Sequence, residues 1–380
     1  MRHGGKRSRS VSMSSSWKVI VQALFILLGL SFIDDATSDL DGPRTFERDL
    51  TPNEDWSDIL SKLINVEMED RLLIPVENQD WLGPENLGQI SGVSVDPSGY
   101  PVVFHRADRS WGYDTFTDDN VYQEEYKGPI KENTVLTLNP ITGEIIRGWG
   151  NHTFYLPHGI HIDVFGNVWL TDIALHQVFK YDSNGILELT LGQRFEPGND
   201  LEHFCQPTSV TVSQSTGEIY VADGYCNRRI VLFDSNGNPR YTIEGQRINL
   251  LIPHSLTILS NGDLCIADRE NGRVFCINVK TSESETAMYK PPYSISFFGR
   301  VFAVASYRDW IYAVNKMVYS SRAVGYMINP YTQKISNLWF PEYGNFQNPH
   351  DIGISPNGTS LYVSEIGPNK VWKFDLIKRI

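Results

Sequence analysis

Four stretches of this 380-residue chain are written to one plan. They read PHGIHIDVFGNVWLTDIALHQVFKYD from Pro157, PTSVTVSQSTGEIYVADGYCNRRIVLFD from Pro207, PHSLTILSNGDLCIADRENGRVFCIN from Pro253 and PHDIGISPNGTSLYVSEIGPNKVWKFD from Pro349. Each runs from a proline through a short alternating strand, a Gly/Asn turn and a second strand ending in Asp or Glu. A polar loop and an aromatic-rich third strand follow. The starts lie 50, 46 and 96 residues apart, and the long interval is two periods. A weaker copy is therefore expected near residue 300, where GRVFAVASYRDWIYAVN and then GYMINP supply it. An earlier copy fits ISGVSVDPSGYPVVFHRADRS at 90–110, closed by NTVLTLNP. Six units of about four strands each, repeating every 40–50 residues, predict an all-β, six-bladed β-propeller around a central channel. A helical solenoid is disfavoured, because helical periodicity is almost absent after residue 85.

The first residues are written differently. Arg2, Lys6, Arg7, Arg9 and Lys18 precede the apolar run VIVQALFILLGLSFI at 19–33, and small residues follow at Ala36–Ser38. That order predicts a secretory signal peptide over 1–36, with an uncleaved anchor as the rival. The run is short for a membrane span, and no later segment is long or apolar enough for one. Residues 37–85, including WSDILSKLINVEMEDRLLI with its helical pattern, read as a lead-in that packs outside the blades or stays mobile, and 86–380 as the propeller domain. Removing 1–36 takes away five positive and two negative charges, which moves the formal charge from −12 to about −15. An acidic chain without a basic cluster is a poor nucleic-acid binder.

Four cysteines, Cys205, Cys226, Cys265 and Cys276, lie in the middle third. An even number in an exported chain predicts disulfides; three pairings are open, and local closure favours Cys205–Cys226 with Cys265–Cys276. The sequons NHT at Asn151 and NGT at Asn357 are compatible with glycosylation.

His158, His254 and His350 each follow the proline that opens a repeat. In a propeller, equivalent positions of different blades face one another across the channel. These three fall on blades 2, 4 and 6, so they approach threefold geometry. Three converging imidazoles make a transition-metal site, above all for zinc with an open fourth position. The plainer reading is that Pro-His is a repeat habit in which His caps a turn. Against that, the blade at 207 has PTS, so the fold does not demand histidine. Arg106 in FHRADRS, Tyr225 in VADGYCN and Arg269 in IADRENG end the second strands of blades 1, 3 and 4. Metal, carboxylate clamp and acid/base group would then share one mouth.

The run YLPHGIHID…NVWLTDIALHQVFK, with HFCQPT, VADGYCNRRIV, PHSL, CIADRENGRVFC and PHDI in order, resembles the peptidyl-α-hydroxyglycine α-amidating lyases over about residues 88–376. The likeness is to a stand-alone, insect-type form. It implies a peptidylamidoglycolate lyase for the second step of neuropeptide and hormone amidation. Such an enzyme cleaves the N–Cα bond of a C-terminal peptidyl-α-hydroxyglycine to give an α-amidated peptide and glyoxylate. It further implies catalytic Zn²⁺ on His158, His254 and His350, Tyr225 as the base, and Arg106 and Arg269 as essential arginines. Structural Ca²⁺ on Asp351 with the carbonyls of Val93 and Ile160 follows too, as do disulfides Cys205–Cys226 and Cys265–Cys276. Its substrates would come from a separate copper monooxygenase, for which too little chain precedes the propeller. The expected setting is secretory, in granules or released, as a monomer. One departure stands out: mammalian members have Met near the substrate, two residues before the last zinc histidine, where this chain has Asn348. The rivals are a non-catalytic platform of NHL-like blades and a lactonase-like hydrolase, whose centre would be carboxylate-rich rather than histidine-rich.

Overall fold

The near-continuous apolar second strands and the more polar fourth strands already say which strands are covered on both faces and which lie at the rim. A computed structural model describes residues 72–279, 292–297, 299–316 and 323–378. In it each repeat is one four-stranded antiparallel sheet, and six such sheets follow one another in chain order. The second strands of blades 2 and 3, Val168–Asp172 and Ile219–Asp223, are buried along their whole length. Fourth strands such as Ile145–Trp149 are largely exposed.

What holds the blades together is side chains meeting between neighbours. Val102, Phe104 and Val135 of blade 1 pack with Ile160, Leu170 and Phe179 of blade 2. Tyr220, Ile230 and Leu232 of blade 3 meet Leu256, Leu264 and Ile266 of blade 4. Between blades 5 and 6 the filler is aromatic: Trp339 lies 5.0 Å from Phe374, and Phe346 lies 6.0 Å from Trp372. Truncating a fully buried ring such as Phe104 to alanine costs about 3–5 kcal/mol.

The ring closes with a strand from the other end of the chain. Leu73–Glu77 pairs antiparallel with Val371–Lys378 as the outer strand of blade 6. This corrects the predicted boundary at residue 86, since part of the lead-in belongs to the propeller. It also replaces helix by strand at Leu73 and Ile74. The last blade needs a fourth strand, and supplying it from the N-terminal side joins the two ends by backbone hydrogen bonds. The predicted signal segment lies outside the described residues. Among those described, no helix is long and apolar enough to cross a membrane.

The acidic residue that ends a second strand has a defined task. Asp172 accepts backbone N–H bonds from Tyr155 and Leu156, at 2.7 and 3.0 Å. Asp223 takes Cys205 N at 2.7 Å, Asp268 takes Leu251 N at 2.9 Å, and Glu365 takes Gln347 N and Asn348 N at 2.6 and 2.8 Å. Each carboxylate thus pins the segment that leads into its blade's first strand, fixing where that strand begins and, in blades 2, 4 and 6, its histidine.

Candidate active site and metal centre

Six residues occupy equivalent places at the start of the first strands: Ser91, His158, Thr208, His254, Phe302 and His350. In blades 1, 2, 4, 5 and 6 the ladder between first and second strands shifts register at this residue. A bulge of this kind breaks the in-out alternation and re-aims a side chain. The three imidazoles consequently meet, with ring centroids 4.8, 4.9 and 4.9 Å apart and all three residues buried. Their ligand nitrogens lie within 4.8 Å of one another.

Each imidazole is fixed by the blade that follows it. His158 Nδ1 bonds Thr208 O at 2.7 Å, His254 Nδ1 bonds Phe302 O at 2.6 Å, and His350 Nδ1 bonds Ser91 O at 2.6 Å. A carbonyl can only accept, so Nδ1 carries the proton and the Nε2 lone pair is left for the centre. Burial, with neighbouring imidazole and arginine charge, pushes His158 and His254 well below the usual range, and burial with arginine charge lowers His350 to about 3. Neutral imidazoles with oriented Nε2 atoms and no carboxylate among them suit a zinc-type cation.

Tyr225 sits on this ring. Its Oη lies 2.9 Å from His158 Nε2 and 3.2 Å from His254 Nε2, and it accepts a long 3.4 Å bond from Arg269 Nη1. Two features hold the Tyr225 loop: the Cys205–Cys226 disulfide, and the close seat of Gly224, where a Cβ would stand 2.1 Å from Pro253 O. Burial pushes the phenol up, while Arg269 and Arg106 pull it down.

The two arginines differ. Arg106 is buried, donates from Nε to Pro157 O and from Nη1 to Gln89 Oε1, both at 2.8 Å, and is lowered to about 10 by burial. Arg269 is less enclosed. Its guanidinium lies over the rings of Tyr225 and Phe302, at 5.2 and 5.5 Å, and Nε pairs with Glu270 at 2.9 Å. Their equivalence is a backbone fact: Arg106 N bonds Gln89 O and Arg269 N bonds Ile252 O, the residues just before the first strands.

Asn348, two residues before His350, is occupied, accepting from Lys316 Nζ at 2.5 Å and donating to Gly367 O at 2.7 Å. Asp351, Val93 and Ile160 line a second part of the channel, a cavity of about 790 Å³ whose walls include none of the three histidines. There Asp351 Oδ2 accepts Val93 N–H at 3.0 Å, and enclosure pushes its carboxyl up to about 7. Both disulfides are paired as expected, Cys265 and Cys276 lying directly opposite in their ladder. Asn151 and Asn357 are exposed.

Sequence reasoning missed Phe302, Lys316 and Trp111. Phe302 is the blade 5 counterpart of the histidines, and only the register identifies it. Trp111 left a legible signal. The connection after the second strand of blade 1 runs from Arg106 to Thr134, against four residues in blade 2, and long loops in compact folds are commonly functional.

The NHL repeat family matches residues 204–233 and 250–277. Peptidyl-α-hydroxyglycine α-amidating lyase 2 of Drosophila melanogaster is 45% identical over 314 residues, covering 80% of this chain and 76% of that protein. The peptidylglycine α-amidating monooxygenase of Rattus norvegicus is 40% identical over 325 residues, but the chain spans only 32% of its length. Among solved structures, hydrazine synthase of Kuenenia stuttgartiensis aligns with a TM-score of 0.52 at 13% identity, over 79% of this chain and 80% of that one. That last likeness concerns the fold alone.

Proposed function

The chain belongs to the peptidyl-α-hydroxyglycine α-amidating lyase family and is thus a peptidylamidoglycolate lyase, and we propose that it cleaves the N–Cα bond of peptides ending in α-hydroxyglycine at a zinc ion held by His158, His254 and His350. The products are the peptide amide and glyoxylate. The observation that carries this reading is the convergence of three neutral imidazoles, each tied through Nδ1 to a carbonyl, on one phenol and two arginines. When bound, the cation supplies Lewis acidity toward the substrate's α-hydroxyl group.

Tyr225 is the base. Its Oη takes the hydroxyl proton as the oxygen becomes the carbonyl of glyoxylate and the N–Cα bond breaks, and hands that proton to the departing amide nitrogen. Arg269 and Arg106 pull the phenol toward the phenolate against burial. Arg269, the less enclosed of the two, holds the substrate carboxylate. Arg106 stays tethered to Pro157 and Gln89 and adds positive charge where oxygen charge develops. Asn348 contributes a polar rim, through Lys316, where an apolar contact would otherwise stand.

The same reading gives structural Ca²⁺ to Asp351 with the carbonyls of Val93 and Ile160. In its support, these residues share one cavity, where burial pushes the Asp351 carboxyl up. Added Ca²⁺ should raise the melting temperature of the wild type and not of Asp351→Asn. Two disulfides favour an oxidising, secretory setting. The same reading adds a signal segment over 1–36, glycans on Asn151 and Asn357, a monomeric enzyme and substrates from a separate copper monooxygenase. The N-terminal sequence, glycosidase sensitivity and hydrodynamic mass of the secreted chain test these points.

The deciding experiment follows glyoxylate from an N-acylated α-hydroxyglycine before and after chelation, with bound metals quantified. Release that stops with chelation and returns with Zn²⁺ is expected. Folded, zinc-loaded protein that releases none overturns the reading.

A further inference from the structure

Trp111 stands at the open edge of the site with a third of its surface uncovered. It is 37% exposed, and its ring meets Tyr225 edge-on, centroids 4.7 Å apart at 75°. The residue is anchored from behind: Trp111 touches Phe116 at 5.4 Å, Phe116 touches Tyr122 at 5.7 Å, and Tyr122 stacks on Phe195 at 6.2 Å. The loop's root is fixed by buried Arg109, whose Nη2 donates to Gly128 O at 2.9 Å, and Gly112 N donates to Thr115 Oγ1 at 2.8 Å beside the tryptophan. Neighbouring Tyr113, by contrast, is 99% exposed. A large ring held rigidly, packed on the base and left partly bare suits recognition more than packing, since aromatic side chains give contact area at little entropic cost.

The chemistry says what would reach it. The scissile nitrogen belongs to the peptide bond that joins the preceding residue to hydroxyglycine. That residue's Cα lies about 3.8 Å from the Cα at which the bond breaks. With Tyr225 Oη at the reacting group, the preceding side chain falls within reach of the ring packed on Tyr225. We infer that Trp111 receives the side chain of the residue before hydroxyglycine, so that the enzyme favours apolar and aromatic residues there; this rests on the lyase reading above.

The test measures glyoxylate release by the full chain from N-acyl-X-α-hydroxyglycine substrates with X as Phe, Leu or Gly. Trp111→Ala should raise KM about tenfold for Phe and Leu, the scale of a lost apolar contact, and leave Gly and every kcat within about twofold. Trp111→Phe keeps a ring and should show a smaller loss with the same selectivity, which decides the matter if the alanine variant does not fold. Tyr113→Ala, in the same loop, should leave all three substrates unchanged. An equal fall in kcat/KM for every X, or no change, overturns the inference and leaves the lyase reading standing. Wild-type protein that releases glyoxylate from none of the three overturns both.

Discussion

Blades 2, 4 and 6 share a backbone plan with blades 1, 3 and 5, yet the two sets serve the centre by different means. At the start of the first strand the even blades present His158, His254 and His350, whose side chains form the centre. The odd blades present Ser91, Thr208 and Phe302, whose contribution to the imidazoles is the backbone carbonyl. Any residue has a carbonyl, so a hydroxyl pair and a phenyl ring serve equally. An imidazole nitrogen has no such substitute. A repeat fold therefore provides six inward positions but restricts the side chain at three, and the other three are free to take on different work. Phe302 does so by lying under the Arg269 guanidinium.

That contrast can be broken by substitution. The largest effect is expected from an even blade. His254→Ala should abolish both bound zinc, read by metal analysis, and glyoxylate release; retained zinc would count against ligation. Next comes Tyr225→Phe, which keeps the ring against Trp111 and Arg269 but removes the proton acceptor. Turnover should drop at least about a hundredfold with zinc content unchanged, and near-normal turnover would end the case for Tyr225 as base. The smallest effect belongs to an odd blade. Ser91→Ala leaves the carbonyl that holds His350 and removes only a 3.2 Å hydroxyl bond to Phe104 O. Stability should fall by about 1 kcal/mol in denaturant titration, with zinc and turnover kept. Loss of zinc in that variant would mean the side chain, not the carbonyl, orients the imidazole.

Within each unit the sequence was easy to read. The Pro-opened strand, the Gly/Asn turn and the Asp or Glu closing the second strand are local signals, and their spacing gave six blades. His158, His254, His350, Tyr225, Arg106 and Arg269 were legible because a repeat puts equivalent residues on one axis. Trp111 belongs to no repeat: the length of its insertion was legible, but its contact with Tyr225, which spans more than a hundred residues, was not. Asn348 could be named as a departure, but its bond to Lys316 of blade 5 could not.

The sequence by itself determined the number of blades and which residues hold equivalent places in them, and it favoured the local disulfide partners, because repeat spacing and chain proximity are encoded at short range. The tertiary structure alone decided that Leu73–Glu77 completes the last blade and that each histidine is aimed by its neighbour's carbonyl. The bond from His350 to Ser91 crosses 259 positions of sequence. It exists only once the ring has closed and brought blade 6 against blade 1, and no local pattern carries the position of a partner that closure supplies.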